Sequence, residues 1–299
     1  MLPLNTTCGS SPMTALLNSR KAIFSVVNIL QGALLGSLLV SGMVVAESAI
    51  EWRGSWQQGA LLLGRVKPGQ VVTYGGESLK TTSQGYFLLG LDREAGPVSR
   101  VTVRDADGTE VNEEQKVASR SYAIQRVNGV PQKTVEPSPE DLARIASDQQ
   151  LVNNARKVTS STTGFLNGFV APIEGPVTGV YGSQRVYNGI PKSPHYGVDY
   201  AAPKGAIVRA PASGVVRLAH KDLFYSGGTL IIDHGHNLTS SFLHLSDILV
   251  SEGMHVERGD IIAKVGATGR ATGPHLDWRM NWRDVRVDPQ LVLQALPAE

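Results

Sequence analysis

Pro194-His195-Tyr196-Gly197-Val198-Asp199-Tyr200-Ala201 and, eighty residues further on, His275-Leu276-Asp277 are the segments that decide how this chain is read. Imidazoles and carboxylates at two- and four-residue spacing are the donors that a zinc ion takes in a tetrahedron, with one corner left to water in a catalytic site. Side chains on a strand return to the same face at every second residue, so His195 shares a face with Asp199 and His275 with Asp277. Two neighbouring strands then aim four donors into one cleft.

The surrounding text is that of short strands. From Gly164 to the end, Gly, Val and Pro recur at close intervals, as in Val177-Thr178-Gly179-Val180-Tyr181-Gly182, Gly228-Thr229-Leu230-Ile231-Ile232 and Asp260-Ile261-Ile262-Ala263. Residues 47–110 also alternate short apolar stretches with turn chemistry: Ala60 to Leu63, Lys67-Pro68-Gly69, Val71 to Tyr74, Gly75-Gly76, Tyr86 to Leu91. That region holds no histidine, and it reads as a small β-sandwich that binds something or spaces the next domain.

Residues 111–163 are polar and form a connector with one helix. Ser138 is its N-cap, Pro139 its first residue, and Glu140 and Asp141 place acids in the first turn. The helix runs from Pro139 to about Arg156, with Leu142, Ile145, Ala146 and Leu151 as its apolar stripe. The fold class is therefore mostly β: a C-terminal antiparallel sheet with a groove over residues 164–299, preceded by the connector and the small sandwich.

At 41% hydrophobic and 18% charged residues, the 299-residue chain can bury a core. Its first 46 residues read as an export signal or an uncleaved membrane anchor, with Arg20-Lys21 ahead of an apolar run over residues 22–46. Export to the periplasm or cell envelope follows in either case. Cys8, the only cysteine, precedes that run, so the exported part has neither a disulfide nor a thiol nucleophile. Taking the leader's two basic residues from the 28 leaves 26, equal to the 26 acidic residues, a balance that argues against nucleic acid as a partner.

Three segments carry a likeness: Pro194-His195-Tyr196-Gly197-Val198-Asp199, Phe242-Leu243-His244-Leu245-Ser246, and Thr268-Gly269-Arg270-Ala271-Thr272-Gly273-Pro274-His275-Leu276. In their order and spacing they resemble the signature segments of the lysostaphin/LytM-type peptidoglycan metalloendopeptidases, over about residues 165–299. The resemblance implies an antiparallel sheet with a groove, one zinc ion per chain, and cleavage of peptide bonds in peptidoglycan. It implies His195 and Asp199 as metal ligands, and His244 and His275 as the catalytic pair flanking the attacking water. Where the family most often has His-x-His, this chain has His275-Leu276-Asp277, which makes the third ligand a carboxylate. Asp277 is a recognised zinc donor type, but it brings a second negative charge to the set.

The alternative is a protein that keeps this fold without catalysis and binds the wall or activates other wall hydrolases. A glycosidase reading lacks a convincing pair of carboxylates in one motif. His234 and His236 flank Gly235 and read as exposed turn residues rather than ligands. His220 and His255 read as loop residues. Arg185 and Tyr187 either line the groove or sit on a surface loop. Asp284, Arg286, Asp288 and Pro289 read as a chain-terminating turn whose job is packing.

Overall fold

The computed structural model describes residues 48–158 and 160–298; the leader expected at residues 1–46, with Cys8, lies outside them. Among the described residues no helix is long and apolar enough to cross a membrane.

One antiparallel sheet organises the C-terminal half. Its strands run in the order His255–Val256, Gly214–Leu223, Gly227–Asp233, Leu238–Leu245, His275–Trp282, Val198–Ala201 and Val177–Gly179, and Val285–Val287 also pairs with His275–Trp282. The central strands Gly227–Asp233 and Leu238–Leu245 are buried along their whole length. Their sequences carry few charges, as strands covered on both faces require. A second, three-stranded sheet of Ile207–Arg209, Ile261–Lys264 and Asp247–Ile248 closes one side.

The N-terminal strands form two small sheets. Leu61–Arg65 lies between Glu51–Arg53 and Tyr86–Gly90, and Val71–Tyr74 and Val98–Arg104 carry Glu77–Ser78 and Glu110–Lys116 at their edges. The end of the Phe87 ring packs against Gly64, where an added Cβ would meet it at 2.2 Å. One apolar cluster runs from Ile50 through Leu89 and Phe165 to Trp278 and Leu296, so the N-terminal strands share a core with the large sheet. Arg120 pairs with Asp288 at 2.9 Å across that junction.

The connector helix spans Pro139–Lys157, and Ser138 Oγ accepts the Asp141 N–H at 3.2 Å, as its sequence requires. Its buried face differs from the expected stripe. Leu142 and Leu151 are exposed, whereas Ala155 is buried and Val152 packs on the Leu218, Leu223 and Ile231 cluster. Polar anchors set this rotation: Asp148 accepts the Phe224 N–H at 2.6 Å, and Arg156 donates to Ser241 Oγ at 3.1 Å. Just upstream, Ile124–Val127 pairs parallel to Gln184–Tyr187, tying the connector to the groove's edge.

The hairpin after Asp233 forms as its sequence indicates, with His236 and Asn237 at positive φ. Its histidines, however, are buried rather than exposed. His234 sits between the Ser213 carbonyl, 2.9 Å from Nδ1, and Ser240 Oγ, 2.8 Å from Nε2. His236 Nδ1 lies 3.0 Å from the Lys80 carbonyl. Both are structural pins between segments, which explains why neither joins the donor cluster. His255 lies exposed on a short strand and His220 on a longer one, not on loops.

Burial pushes the His234 imidazole down to about 4. The unfolded chain therefore takes up a proton that the folded protein refuses, and stability is lost as pH falls from about 6.5 through about 4. The loss from this residue should reach about 3 kcal/mol. Urea unfolding at pH 7 and pH 4.5 checks it: His234→Gln should show a shallower decline than the parent, and an identical decline would exclude His234 as the source.

Candidate metal centre

Asp199 and Asp277 stand directly opposite each other where Val198–Ala201 pairs with His275–Trp282. Directly paired residues of an antiparallel ladder project to the same face with Cβ atoms about 5 Å apart. Two buried carboxylates are thus forced side by side. His195 joins them from outside the strand, which begins at Val198, so the alternation expected from 195 to 199 does not hold. Its backbone is pinned instead by bonds to the neighbouring segment, His195 N to Ser183 O at 2.8 Å and Gly182 N to His195 O at 2.7 Å. The ring then reaches both acids, with Nε2 3.0 Å from Asp199 Oδ1 and 3.3 Å from Asp277 Oδ2. One donor atom from each of His195, Asp199 and Asp277 lies within 4.8 Å of the others.

His244 reaches the same place by breaking the strand's alternation. Phe242 pairs with Trp278 and faces the core, and Leu243 pairs with Asp277; strict alternation would send His244 back into the core with Phe242. The pairing instead skips: Gly228 opposes Leu245 and Leu230 opposes Phe242, so Leu243 and His244 together face Thr229. This is a β-bulge, a device that re-aims a side chain. His244 takes φ +63°, a left-handed conformation that costs an L-residue roughly 1 kcal/mol. Its ring comes to 4.8 Å from that of His275, and its Nε2 to 4.0 Å from Asp277 Oδ2.

All three imidazoles turn Nδ1 toward a backbone carbonyl: His195 to Val180 at 3.4 Å, His244 to Thr268 at 2.8 Å and His275 to Gly273 at 2.9 Å. A proton on Nδ1 leaves the lone pair on Nε2, the form a metal ligand or a general base requires. Burial pushes His244 down to about 4, so it is neutral near pH 7.

Two arginines absent from the expected site hold the carboxylates. Arg279 grips Asp277 with Nη2 2.5 Å from Oδ2 and Nε 3.0 Å from Oδ1, and Arg185 Nη2 lies 2.7 Å from Asp199 Oδ2. Burial alone would raise Asp277, yet Arg279 and then His195 hold it well below the usual carboxylate range. Asp199 is lowered too: burial and Asp277 push it up, and His195 and Arg185 outweigh them. Arg279 was legible in principle, because it lies two residues past Asp277 on one strand face. Arg185 came from a segment for which groove and surface were equal choices.

Room for the acids comes from glycine. A Cβ on Gly179 would stand 2.0 Å from Asp199 Oδ2, and one on Gly197 would stand 2.6 Å from Asp277 Oδ1.

The donor set fits a divalent cation. His195 Nε2 and Asp199 Oδ1 are buried, 3.0 Å apart and without hydrogen-bond partners. With Nδ1 protonated, these are two acceptors facing each other, which only a proton or a cation between them can reconcile. Burial alone would lower His195, but Asp277 and Asp199 raise it, as expected where a proton stands in for a cation. His195, Asp199 and Asp277 would hold the ion.

A groove of about 700 Å³ runs over these residues. Arg270 closes part of its wall, its guanidinium 4.7 Å from the Tyr187 ring centre and 4.5 Å from that of Tyr225. The connector helix supplies Ile145, Val152 and Arg156 to the lining. Arg286, expected in a packing turn, sits on the Val285–Val287 strand and also lines the groove. Asp288 does the capping, accepting the Gln290 N–H at 2.9 Å.

Residues 193–289 match peptidase family M23. The crystal structure of a putative M23 peptidase from Pseudomonas aeruginosa is 30% identical, with a TM-score of 0.63 over 81% of this chain and 96% of that one. The chain belongs to peptidase family M23. The peptidoglycan DD-endopeptidase ShyB of Vibrio cholerae is 41% identical over 145 residues, 48% of this chain and 31% of that protein. The DD-carboxypeptidase/endopeptidase Mpg of Neisseria meningitidis is 41% identical over 103 residues, 34% of this chain and 23% of its own length. The chain thus matches less than a third of the length of these curated relatives. M23 is a metallopeptidase family, in keeping with the donor cluster that the M23 segment assembles here.

Gly179→Ala should displace the Asp199 carboxylate and its Arg185 partner. Overpacking of this kind costs about 1–3 kcal/mol, readable as a lower urea midpoint at unchanged slope. A variant as stable as the parent would show that the strand yields without strain.

Proposed function

We propose that this M23 chain is an exported, zinc-dependent endopeptidase that hydrolyses peptide bonds in peptidoglycan, with one zinc ion per chain. The observation that carries the reading is the convergence of the His195, Asp199 and Asp277 donors beside two imidazoles, those of His244 and His275. The name of the Vibrio cholerae relative, a peptidoglycan DD-endopeptidase, supports the substrate, and that of the Neisseria meningitidis relative, a DD-carboxypeptidase/endopeptidase, supports peptide-bond hydrolysis. The cell envelope is the site of action that this substrate requires.

When bound, zinc supplies Lewis acidity to the scissile carbonyl and makes a coordinated water more acidic. The protein's own groups do the rest. The Val180 carbonyl orients the His195 ring and Arg185 holds Asp199, so both ligands keep their positions without paying further ordering entropy. His244, held neutral by burial, presents its Nε2 lone pair beside the His275 ring, and accepts the proton of the attacking water at that atom. The protonated imidazole then donates Nε2–H toward the oxygen on which charge develops, and later toward the leaving amine. Arg279 and Arg185 offset the second negative charge that Asp277 brings to the donor set.

A metal-free wall-binding protein is the competing reading, and one contact favours it: Arg279 already engages both oxygens of Asp277. Metal content separates the two. The purified full chain should bind zinc at one equivalent, and Asp277→Asn should weaken binding by more than the roughly 10–100-fold that loss of an outer partner costs. Because the raised His195 must release its proton to bind metal, affinity should fall about tenfold per pH unit below that pKa. His244→Ala should keep zinc and lose at least about 100-fold in release of soluble fragments from purified peptidoglycan. Zinc-free protein that still acts on the wall would establish the competing reading.

A further inference from the structure

The floor of the groove beyond the metal centre is basic. Along His275–Trp282 the residues facing the site are His275, Asp277, Arg279 and Asn281, each about 7 Å from the next. Ser241 lies directly opposite Arg279, and Arg286 directly opposite Asn281. Arg156 descends from the connector helix to Ser241 Oγ, 3.1 Å away. Three guanidinium groups therefore gather on one patch of sheet, one to two strand steps from Asp277.

Only one of the three is neutralised. Arg279 is spent on Asp277. Among the described residues neither Arg156 nor Arg286 forms an ion pair with a carboxylate, and Arg156 Nε is buried with no hydrogen-bond partner. The nearby acids are committed or exposed to solvent, and the one that acts on Arg156, Asp284, is outweighed by the opposing cations. Asp148 accepts from the Phe224 N–H, Asp199 belongs to Arg185, and Asp284 is exposed and bridges neither arginine. The Arg286 guanidinium lies 5.4 Å from the Tyr196 ring centre, a contact that holds it in the groove without cancelling its charge. Burial, then Arg286 and Arg279, push Arg156 down to about 9, so the three cations oppose one another. Half-buried like charges without counterions are a costly arrangement that an anionic ligand relieves. Guanidinium forks match carboxylates in shape as well as charge.

We propose that Arg156 and Arg286, backed by Arg279, form a subsite for a carboxylate on the substrate peptide. The inference rests on the peptidase reading of the adjoining centre. The patch begins one strand step from Asp277, at Arg279, and ends two steps away, where Arg286 opposes Asn281; each step equals about two extended peptide residues, so the carboxylate lies about two to four residues from the bond to be cut. It comes from the peptide's C-terminus or from an acidic side chain. The connector helix, through Arg156, is then part of the substrate site and not a spacer alone.

Three probes test this: an N-acetylated pentapeptide of alanine and one glutamate with a free C-terminus, the same peptide as its C-terminal amide, and the free acid with glutamate replaced by glutamine. Binding is measured by calorimetry on the full chain before and after zinc loading, and cleavage on the loaded form. At least one neutralised peptide should bind about tenfold more weakly than the parent peptide, and which one identifies the source of the carboxylate. In Arg286→Gln and in Arg156→Gln that preference should collapse to within about twofold, with partial rescue in Arg286→Lys. A merely structural role would weaken the acid and neutral peptides alike and leave the ratio intact, which overturns the proposal, as does a parent protein that binds all three equally. Failure of the peptidase reading looks different: the acid preference in binding persists while the zinc-loaded chain cleaves neither these peptides nor peptidoglycan.

Discussion

Two aspartates facing each other across one β-ladder step set the terms for everything around them. The pairing of Asp199 with Asp277 leaves two buried carboxylates about 5 Å apart at their Cβ atoms. Side by side and unpaired, they would repel and take up protons. The protein answers with one cation apiece, Arg185 and Arg279, and one imidazole between them, so the charge is held without expelling the ionised state. Glycines at 179 and 197 clear the space the carboxylates occupy.

That solution explains the irregular features nearby. The bulge at His244 carries backbone strain that a regular strand would avoid, and it persists because buried strands on both sides fix it. Without it His244 would point into the core with Phe242. The Nδ1 contacts of the three imidazoles then fix which nitrogen faces the carboxylates, so the site is oriented before any ligand enters. The same logic separates these histidines from His234 and His236, whose ring nitrogens are turned toward Ser213, Ser240 and Lys80 and have no cluster to serve.

The N-terminal strands and the connector bear on the site more directly than their sequences indicate. Arg120 and Asp288 join the first region to the last helix, and the apolar cluster crosses between them. The connector helix turns away from its most hydrophobic side because Asp148 and Arg156 find partners on the sheet, and those bonds outweigh the exposure of Leu142 and Leu151. Through Arg156 the helix places a cation over the groove floor.

The sequence by itself determined the mostly β class, the helix from Pro139 with its Ser138 cap, and the identity of the residues that converge. These are local matters: capping, alternation, and donor types at short spacing are written in consecutive residues. It did not determine the arginines that hold the acids, the rotation of the helix, the burial of His234, or the route by which His195 and His244 reach the centre. Those depend on which strand lies beside which and where a ladder slips by one residue. Such pairings join positions scores of residues apart, as Asp199 and Asp277 are, and only the folded chain brings their charges close enough to decide one another's state.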